Sequence, residues 1–280
     1  MSLREIVKKL DSKLTDAEER LVKQLLSDPE LAAFMTAAEL AEAVGVHEST
    51  AVRMAKTLGF NGYRQLRAEL QSELLDTVNS SERIRRRLAR THNLDQLIDD
   101  EIDSLNALPE TLTQTLLEHA AKTLFNAHRI YLYAWGHATA LGELMIRRLR
   151  RSGYRVEDLR ADGRDLAERL LLLSKQDVLL AFALRNRPPA LDALLRQSKK
   201  AGAKTIVISD MLGPMIRPKP DVLLWGRRGS RGEYLSHVVP LTICNALVLS
   251  LAEHDQGRTL ESLDTVQALI QLYGQPGFSD

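Results

Sequence analysis

The stretch from Thr36 to Tyr63 reads TAAELAEAVGVHESTAVRMAKTLGFNGY, and it predicts two short helices joined by a tight turn. Thr36 and Glu39 have the spacing of a capping box, in which each side chain accepts a hydrogen bond from the other residue's backbone N–H. Gly45 readily takes the positive φ that a sharp helix-to-helix turn often needs. We therefore expect one helix to begin after Thr36 and a second to begin near Glu48.

The second helix of this pair is amphipathic. Its apolar side chains recur at helical spacing at Ala51, Val52, Ala55 and Leu58. The opposite face is expected to be exposed, with Ser49, Thr50, Arg53 and Lys56. Short hydrogen-bonding side chains followed by cations are typical of a recognition helix, which places its N-terminal residues against DNA base edges. Such patterns also occur in helical domains that bind no DNA, so the pattern alone leaves open a plain helical hairpin.

Positive charge is unevenly distributed along the chain. The net charge is +1, but the stretch from Arg53 to Arg67 contains four cations and no acidic residue. A local basic surface of this kind suits the phosphate backbone of DNA, whatever the net charge. A second basic run, ERIRRRLAR at 82–90, is interpreted as the solvated face of a linker helix, with phosphate binding as the alternative.

Residues 45–67, GVHESTAVRMAKTLGFNGYRQLR, resemble the GVSxxTVxRFxKxLGFxGYxxLK segment of MurR/RpiR-type bacterial transcriptional regulators. The resemblance implies binding of a double-stranded DNA operator through His47, Glu48, Ser49, Thr50, Arg53, Lys56, Tyr63 and Arg64. The family usually has serine at position 47, and histidine is a poorer N-cap. We therefore expect either a direct DNA contact by His47 or capping by Ser49 or another neighbour. A tolerated surface substitution is the remaining alternative.

Length and hydrophobic content predict more than one domain. The chain has 280 residues, of which 44% are hydrophobic, enough to fill a sizeable core. A helix should open at Thr15 with Glu18 as its capping partner, and Ser2–Leu10 and Tyr63–Leu75 are further helix candidates. We expect an all-α helix-turn-helix domain at 1–77, a helical connector at 78–127, an α/β domain at 128–256, and a C-terminal helix and tail at 257–280.

The second half of the chain alternates strand patterns with helix patterns. Near-continuous apolar runs such as Val178–Leu184 predict a parallel sheet with helices on both faces. Ligands of such sheets bind beyond the carboxyl ends of the strands. Residues 128–256 resemble the SIS (sugar isomerase) domain, the usual effector domain of the same regulator family. Within them, GAKTIVISD at Gly202–Asp210 is similar to the family's GA-x-x-I-x-IT segment.

The resemblance to SIS domains also implies an effector site. It falls on Gly136, His137, Thr139, Arg164, Arg185, Asn186 and Arg187. Phosphosugar-binding members carry Ser-x-Ser-Gly-x-Thr after the third strand, but this chain has ALRNRP at 183–188, without those hydroxyls. The arginines are expected either to bind a small anionic metabolite as bidentate forks, or to point to solvent or pair with Asp162, Asp165 or Asp210. A carbohydrate derivative held in the family's usual manner is the interpretation that these departures weaken.

An enzyme is the rival class of protein, because SIS domains also occur in aldose–ketose isomerases and aminosugar enzymes. Such an enzyme needs a general base, and Glu233 and His237 lie four positions apart on a helix candidate. The helix-turn-helix resemblance favours a sensor instead. The histidines are scattered and no metal spacing is present, so we expect no catalytic residue, no cofactor and no metal.

Cys244 is the single cysteine and lies in the apolar run VVPLTICNALVLSLA. The run predicts a buried structural thiol, and it is too short to span a bilayer. One cysteine fits a reducing cytoplasm, and the N-terminus lacks the apolar core of a secretory signal. We therefore expect a cytoplasmic protein with no membrane partner. It should form homodimers or homotetramers, because a helix-turn-helix unit gains half-site specificity by pairing, and Thr259–Tyr273 is a candidate pairing helix.

Overall fold

The fold is described from a computed structural model. The structure describes residues 7, 14–27, 32–33, 35–75, 94–185, 187–229 and 235–272, with the side chains of 71–75 left out. The chain divides into two compact units, residues 1–83 and 84–280. Four features singled out from the sequence lie outside the described residues: the helix Ser2–Leu10 apart from Val7, the basic run at 82–90, Asn186 and Glu233.

The N-terminal unit is built from helices. They are α1 (Asp16–Ser27), α2 (Ala37–Ala43), α3 (Glu48–Thr57) and α4 (Tyr63–Leu75). The capping box of α2 forms as expected: Thr36 N donates to Glu39 Oε2 at 2.7 Å, and Glu39 N donates to Thr36 Oγ1 at 3.2 Å. Gly45 has a φ of 69° in the turn between α2 and α3. The predicted helix-turn-helix is confirmed.

The second unit contains a five-stranded sheet. Its strands are β1 (Ile130–Tyr133), β2 (Val156–Asp158), β3 (Val178–Ala183), β4 (Lys204–Ser209) and β5 (Val222–Trp225). All neighbours pair in parallel, in the order β2-β1-β3-β4-β5. The central strand β3 is buried at every residue, which explains its unbroken apolar sequence. The prediction of a parallel α/β unit is confirmed.

Helices cover both faces of this sheet. They are α5 (Leu94–Asn106), α6 (Gln114–Phe125), α7 (Thr139–Arg151), α8 (Gly163–Arg169), α9 (Leu191–Ala201), α10 (Val238–His254) and α11 (Gln256–Leu272). Alternate residues of β3 point to opposite faces. Leu180 and Phe182 join the core that includes residues of α6, α7 and α10, whereas Leu179 and Ala181 join the core that includes residues of α9.

The described part of the expected connector at 78–127 belongs to the second unit. Leu117 and Leu124 of α6 are buried in the core that contains β1 and β3. Thr111, just before α6, donates its hydroxyl hydrogen bond to Trp225 O at 2.7 Å, at the end of β5. The apolar face of α6 therefore packs on the sheet, and the domain boundaries drawn from the sequence stay predictions.

No single helix among the described residues is long and apolar enough to cross a membrane. The helices α10 and α11 reach such a length only when taken together, and they are bent by 104° where they meet.

Candidate functional site

The start of α3 is capped by His47. Its ring Nδ1 accepts a hydrogen bond from Ser49 N at 3.2 Å and lies 2.9 Å from Ser49 Oγ. A neutral imidazole has one ring nitrogen free to accept, so it substitutes for the serine oxygen that usually caps a helix. The expectation that Ser49 or another neighbour takes over the cap is wrong. The His47 side chain is nevertheless exposed at the entrance to α3.

The outward face of α3 differs from the predicted one at a single position. Glu48, Ser49, Arg53 and Lys56 are exposed as expected. Thr50 is only 8% exposed, because it lies one turn before Met54 on the side of the helix that faces the core. The prediction that Thr50 faces DNA is therefore corrected: Thr50 packs inside the N-terminal unit.

Of the two predicted DNA contacts at the start of α4, Tyr63 is buried and Arg64 is exposed. The Tyr63 hydroxyl donates a hydrogen bond to Met35 O at 3.2 Å, and burial raises the pKa of Tyr63 to about 12. Tyr63 is a packing residue at the start of α4, and the prediction that it contacts DNA is corrected. Arg64 is exposed and stays a candidate for phosphate contact.

At the carboxyl edge of the sheet, the segment after β1 forms a tight turn. Residues Gly136–Ala138 make one turn of 3₁₀ helix, and Gly136 has a φ of 60°. Thr139 donates its hydroxyl hydrogen bond to Gly136 O at 2.7 Å. Helix α7 then begins with no side-chain cap. His137 is exposed at this turn.

Two of the three arginines assigned to the effector site bind neighbouring acidic residues. Arg164 Nε donates to Glu168 Oε1 at 2.7 Å, and the Arg164 side chain is 92% exposed. Arg187 Nε donates to Asp192 Oδ1 at 2.6 Å, and its Nη2 donates to Arg217 O at 2.6 Å. The alternative of solvent-facing, acid-paired arginines therefore holds for both, although their partners are not the aspartates named from the sequence.

The Asp210 carboxylate accepts hydrogen bonds from two backbone segments at the carboxyl edge of the sheet. It follows β4, and its Oδ2 accepts a hydrogen bond from Arg185 N at 2.6 Å in the segment after β3. Its Oδ1 accepts from Leu212 N at 3.1 Å. Arg185 has a φ of 66°, which is uncommon for a residue with a side chain. The carboxylate thus fixes the segment that follows β3.

The buried cation of this edge is Arg228, which sequence reasoning missed. Arg228 Nη1 lies 3.1 Å from Asp210 Oδ2, and the two side chains are 4% and 7% exposed. Arg228 Nε donates to Ser236 O at 2.7 Å, and Nη2 donates to Leu235 O at 3.1 Å. In the sequence Arg228 is indistinguishable from the arginines around it, so no local signal marks it.

His237 lies beside this cation at the N-cap position of α10, without a side-chain cap bond. Its Nε2 is buried and has no hydrogen-bond partner among the residues that the structure describes. Burial, together with the charges of Arg228 and His137, holds the pKa of His237 below its ordinary value of 6.5. Two imidazoles and the N-termini of α7 and α10 therefore occur at one edge, where Val238 N of α10 donates to Ser236 Oγ at 3.1 Å. Helix N-termini favour anions.

Comparison with known proteins agrees with both halves of this architecture. Residues 1–77 match the helix-turn-helix domain of the rpiR family, and residues 123–225 match the SIS domain. The chain is 25% identical over 281 residues to the HTH-type transcriptional regulator RpiR of Escherichia coli K12, covering 94% of this chain and 90% of that protein.

Two solved structures share the fold. The sugar isomerase domain of an RpiR transcription factor from Sphaerobacter thermophilus is 22% identical with a TM-score of 0.57, and covers 62% of this chain and 97% of its own. The Vibrio vulnificus NanR protein complexed with ManNAc-6P is 17% identical with a TM-score of 0.56, and covers 97% of this chain and 100% of its own. The chain therefore belongs to the RpiR family of helix-turn-helix transcriptional regulators, with an SIS domain as its second unit.

Proposed function

We propose that this regulator binds a double-stranded DNA operator through the exposed face of α3. The observation that supports this proposal is the separation of α3 into a buried side and an exposed side that carries Ser49, Arg53 and Lys56. Short polar groups at the start of a helix suit base edges, and the cations suit guanine or phosphate oxygens. Arg64 and the exposed ring of His47 extend this face.

The experiment is a fluorescence anisotropy titration. A duplex is first selected from a randomised pool with the native protein, and affinities for it and for a shuffled duplex are measured across salt concentrations. Arg53→Ala should weaken binding to the selected duplex by about 1–3 kcal/mol if Arg53 reads a guanine. Lys23→Ala, which removes an exposed cation from α1, is the control and should change little. Unchanged affinity in Arg53→Ala would reject α3 as the recognition helix.

We further propose that a small anionic metabolite binds at the carboxyl edge of the SIS sheet and controls DNA binding. The observation that carries this proposal is the buried Nε2 of His237, which has no hydrogen-bond partner among the described residues. A buried polar group normally has a partner, and an anion bound here supplies one. Of the residues assigned from the sequence, Gly136, His137, Thr139 and Arg185 stay candidates for contact with the anion, whereas Arg164 and Arg187 pair with Glu168 and Asp192.

Sugar phosphates are one class of anion to test, because NanR of Vibrio vulnificus was solved with ManNAc-6P. In this chain residues 184–188, which follow β3, carry no hydroxyl. The Thr139 hydroxyl already donates to Gly136 O. Recognition by imidazoles and helix N-termini suits carboxylates as well as phosphates, so organic acids are the second class.

A thermal-shift screen of sugar phosphates against organic acids tests the effector site. We expect stabilisation by anionic compounds in the native protein and loss of that stabilisation in His237→Gln. His119→Gln, which changes an exposed histidine of α6, is the matched control and should respond like the native protein. Stabilisation that persists in His237→Gln would place the site elsewhere.

We propose a sensor rather than an isomerase. An isomerase needs a general base whose pKa is matched to its task, and burial together with the charges of Arg228 and His137 lowers the pKa of the described candidate, His237. A lowered pKa makes this imidazole a weaker base. Turnover of a phosphosugar panel that disappears in His237→Gln, in a protein that selects no duplex, would favour the enzyme instead.

We also propose that the protein acts as a homodimer or homotetramer. Helix α5 exposes an apolar stripe at Leu94, Leu97, Ile98 and Ile102, and a second copy of the chain is the partner that an operator with two half-sites requires. Light scattering of the native protein should give at least a dimer at micromolar concentration. The double variant Ile98→Glu, Ile102→Glu should shift it towards the monomer, and a monomeric native protein would reject the proposal.

A further inference from the structure

The carboxylate of Glu18 in α1 reaches two elements of the N-terminal unit. Its Oε2 accepts hydrogen bonds from Thr15 N at 3.0 Å and from Thr15 Oγ1 at 2.8 Å, just before the start of α1. Its Oε1 accepts from Thr57 Oγ1 at 3.3 Å and lies 3.6 Å from Arg53 Nε. Thr57 and Arg53 are one turn apart on α3. One carboxyl oxygen therefore caps α1, and the other faces the recognition helix.

This carboxylate is buried and charged. The Glu18 side chain is 4% exposed, and burial by itself disfavours the ionised form. The hydrogen bonds from Thr15 and Thr57 and the charge of Arg53 outweigh burial, so the pKa of Glu18 lies below its ordinary value of 4.5. A buried charge needs several hydrogen-bonding or oppositely charged partners. The Glu18 carboxylate is therefore a negative charge in a defined position next to α3.

Arg53 is held at its inner end and exposed at its outer end. Its side chain is 66% exposed, yet its Nε faces the buried carboxylate. The two Nη groups lie beyond Nε at the far end of the planar guanidinium. To bind guanine O6 and N7 together, the guanidinium must lie in one orientation. A phosphate group can bind the guanidinium in many orientations. Ordering a long side chain before binding also reduces the entropy lost on binding.

We propose that Glu18 is a positioning residue that orients Arg53 for base reading and thereby sets sequence specificity. The inference rests on the proposed role of α3. It goes beyond helix capping, because capping uses Oε2 while Oε1 and the charge act on Arg53. It predicts a selective effect: loss of the Glu18 charge should reduce discrimination between duplexes more than it reduces binding to DNA in general.

The test variant is Glu18→Gln. Glutamine also completes a capping box, so the substitution removes the charge and keeps the cap. The N-terminal unit offers a matched control, because Glu39 likewise accepts a hydrogen bond from the backbone N–H of the threonine that precedes its helix, Thr36. Glu39→Gln makes the same chemical change at the equivalent position of α2. The measured quantity is the ratio of affinities for the selected duplex and the shuffled duplex, by competition anisotropy with the full chain.

We expect Glu18→Gln to lower this ratio about tenfold, the loss of one bidentate base contact, and Glu39→Gln to leave it within about twofold of native. In an Arg53→Ala background, Glu18→Gln should have no further effect on the ratio, because the two residues act through one contact. Equal effects of the two glutamine variants would reduce Glu18 to a capping residue. Additive effects of Glu18→Gln and Arg53→Ala would also overturn the proposal.

A second variant tests the role of the Arg53 fork without altering Glu18. Arg53→Lys keeps the cation but lacks the planar fork. It should therefore retain affinity for the shuffled duplex and lower the ratio of selected-duplex affinity to shuffled-duplex affinity. The experiments distinguish a wrong assignment of α3 as the recognition helix from a wrong positioning role for Glu18. If Arg53→Ala leaves the selected-duplex affinity unchanged, the assignment of α3 fails. If Arg53→Ala lowers that affinity while Glu18→Gln leaves the ratio unchanged, only the positioning role fails.

Discussion

Arg228 Nη1 lies 3.1 Å from Asp210 Oδ2 in an ion pair that is buried at the carboxyl edge of the sheet. Asp210 follows β4 and Arg228 follows β5, so the pair joins two neighbouring strand ends. Through Arg185 N, the same carboxylate also holds the segment after β3. The rigidity of the proposed effector site therefore depends on one carboxylate and one guanidinium.

Arg228→Met should destabilise the second unit by about 3–5 kcal/mol, because it leaves the Asp210 carboxylate buried without its cation. Arg187→Met is the matched control at the same edge. Arg187 pairs with Asp192, but its side chain is 50% exposed, so that substitution should cost less than about 1 kcal/mol. Urea unfolding followed by circular dichroism measures both. Equal costs for the two variants would contradict the structural role given to the buried pair.

The stability of the protein should depend on pH through His237. Its pKa in the folded chain lies below 6.5, so between these two values the unfolded chain binds a proton that the folded chain does not. Stability therefore falls as the pH drops below about 6.5. His237→Gln should flatten this part of the urea midpoint curve relative to His119→Gln. Parallel curves for the two variants would show that His237 does not titrate as its burial implies.

The thiol of Cys244 should react only after unfolding. Burial raises the pKa of Cys244 to about 12, and the thiolate is the reactive form. Iodoacetamide labelling followed by mass spectrometry should give no modification of the native chain at neutral pH. The labelled fraction should rise with urea in step with unfolding of the second unit. Rapid labelling of the native chain would contradict the buried position of α10.

The elements of the fold could be predicted because their signals are local. The box of Thr36 and Glu39, the turn at Gly45 and the apolar run of β3 each specify structure within a few residues. The sequence does not show that α6 packs on the sheet, because its apolar face lies in a polar stretch. It does not show that Thr50 is buried, because a small polar side chain fits either face of α3.

The candidate site could be predicted only in part, since it is assembled across loops. The sequence contains arginines after several strands, and charge alone does not tell which one is buried. Pairing of β4 with β5 brings Arg228 to Asp210, whereas Arg164 meets Glu168 one turn along its own helix. The spacing of Glu233 and His237 predicts a possible base, but the lack of a partner for His237 Nε2 among the described residues depends on packing that no spacing in the sequence reports.

We propose that an anion at the carboxyl edge of the SIS sheet changes the affinity of α3 for its operator. The most direct test measures anisotropy of the selected duplex with and without the most stabilising anion from the thermal-shift screen. The native protein should show a change in DNA affinity of about 5–150-fold, the usual range for coupled sites. His237→Gln should bind the duplex like the anion-free native protein and show no change on adding the anion. An equal anion response in both proteins, or none in the native protein, would contradict the account.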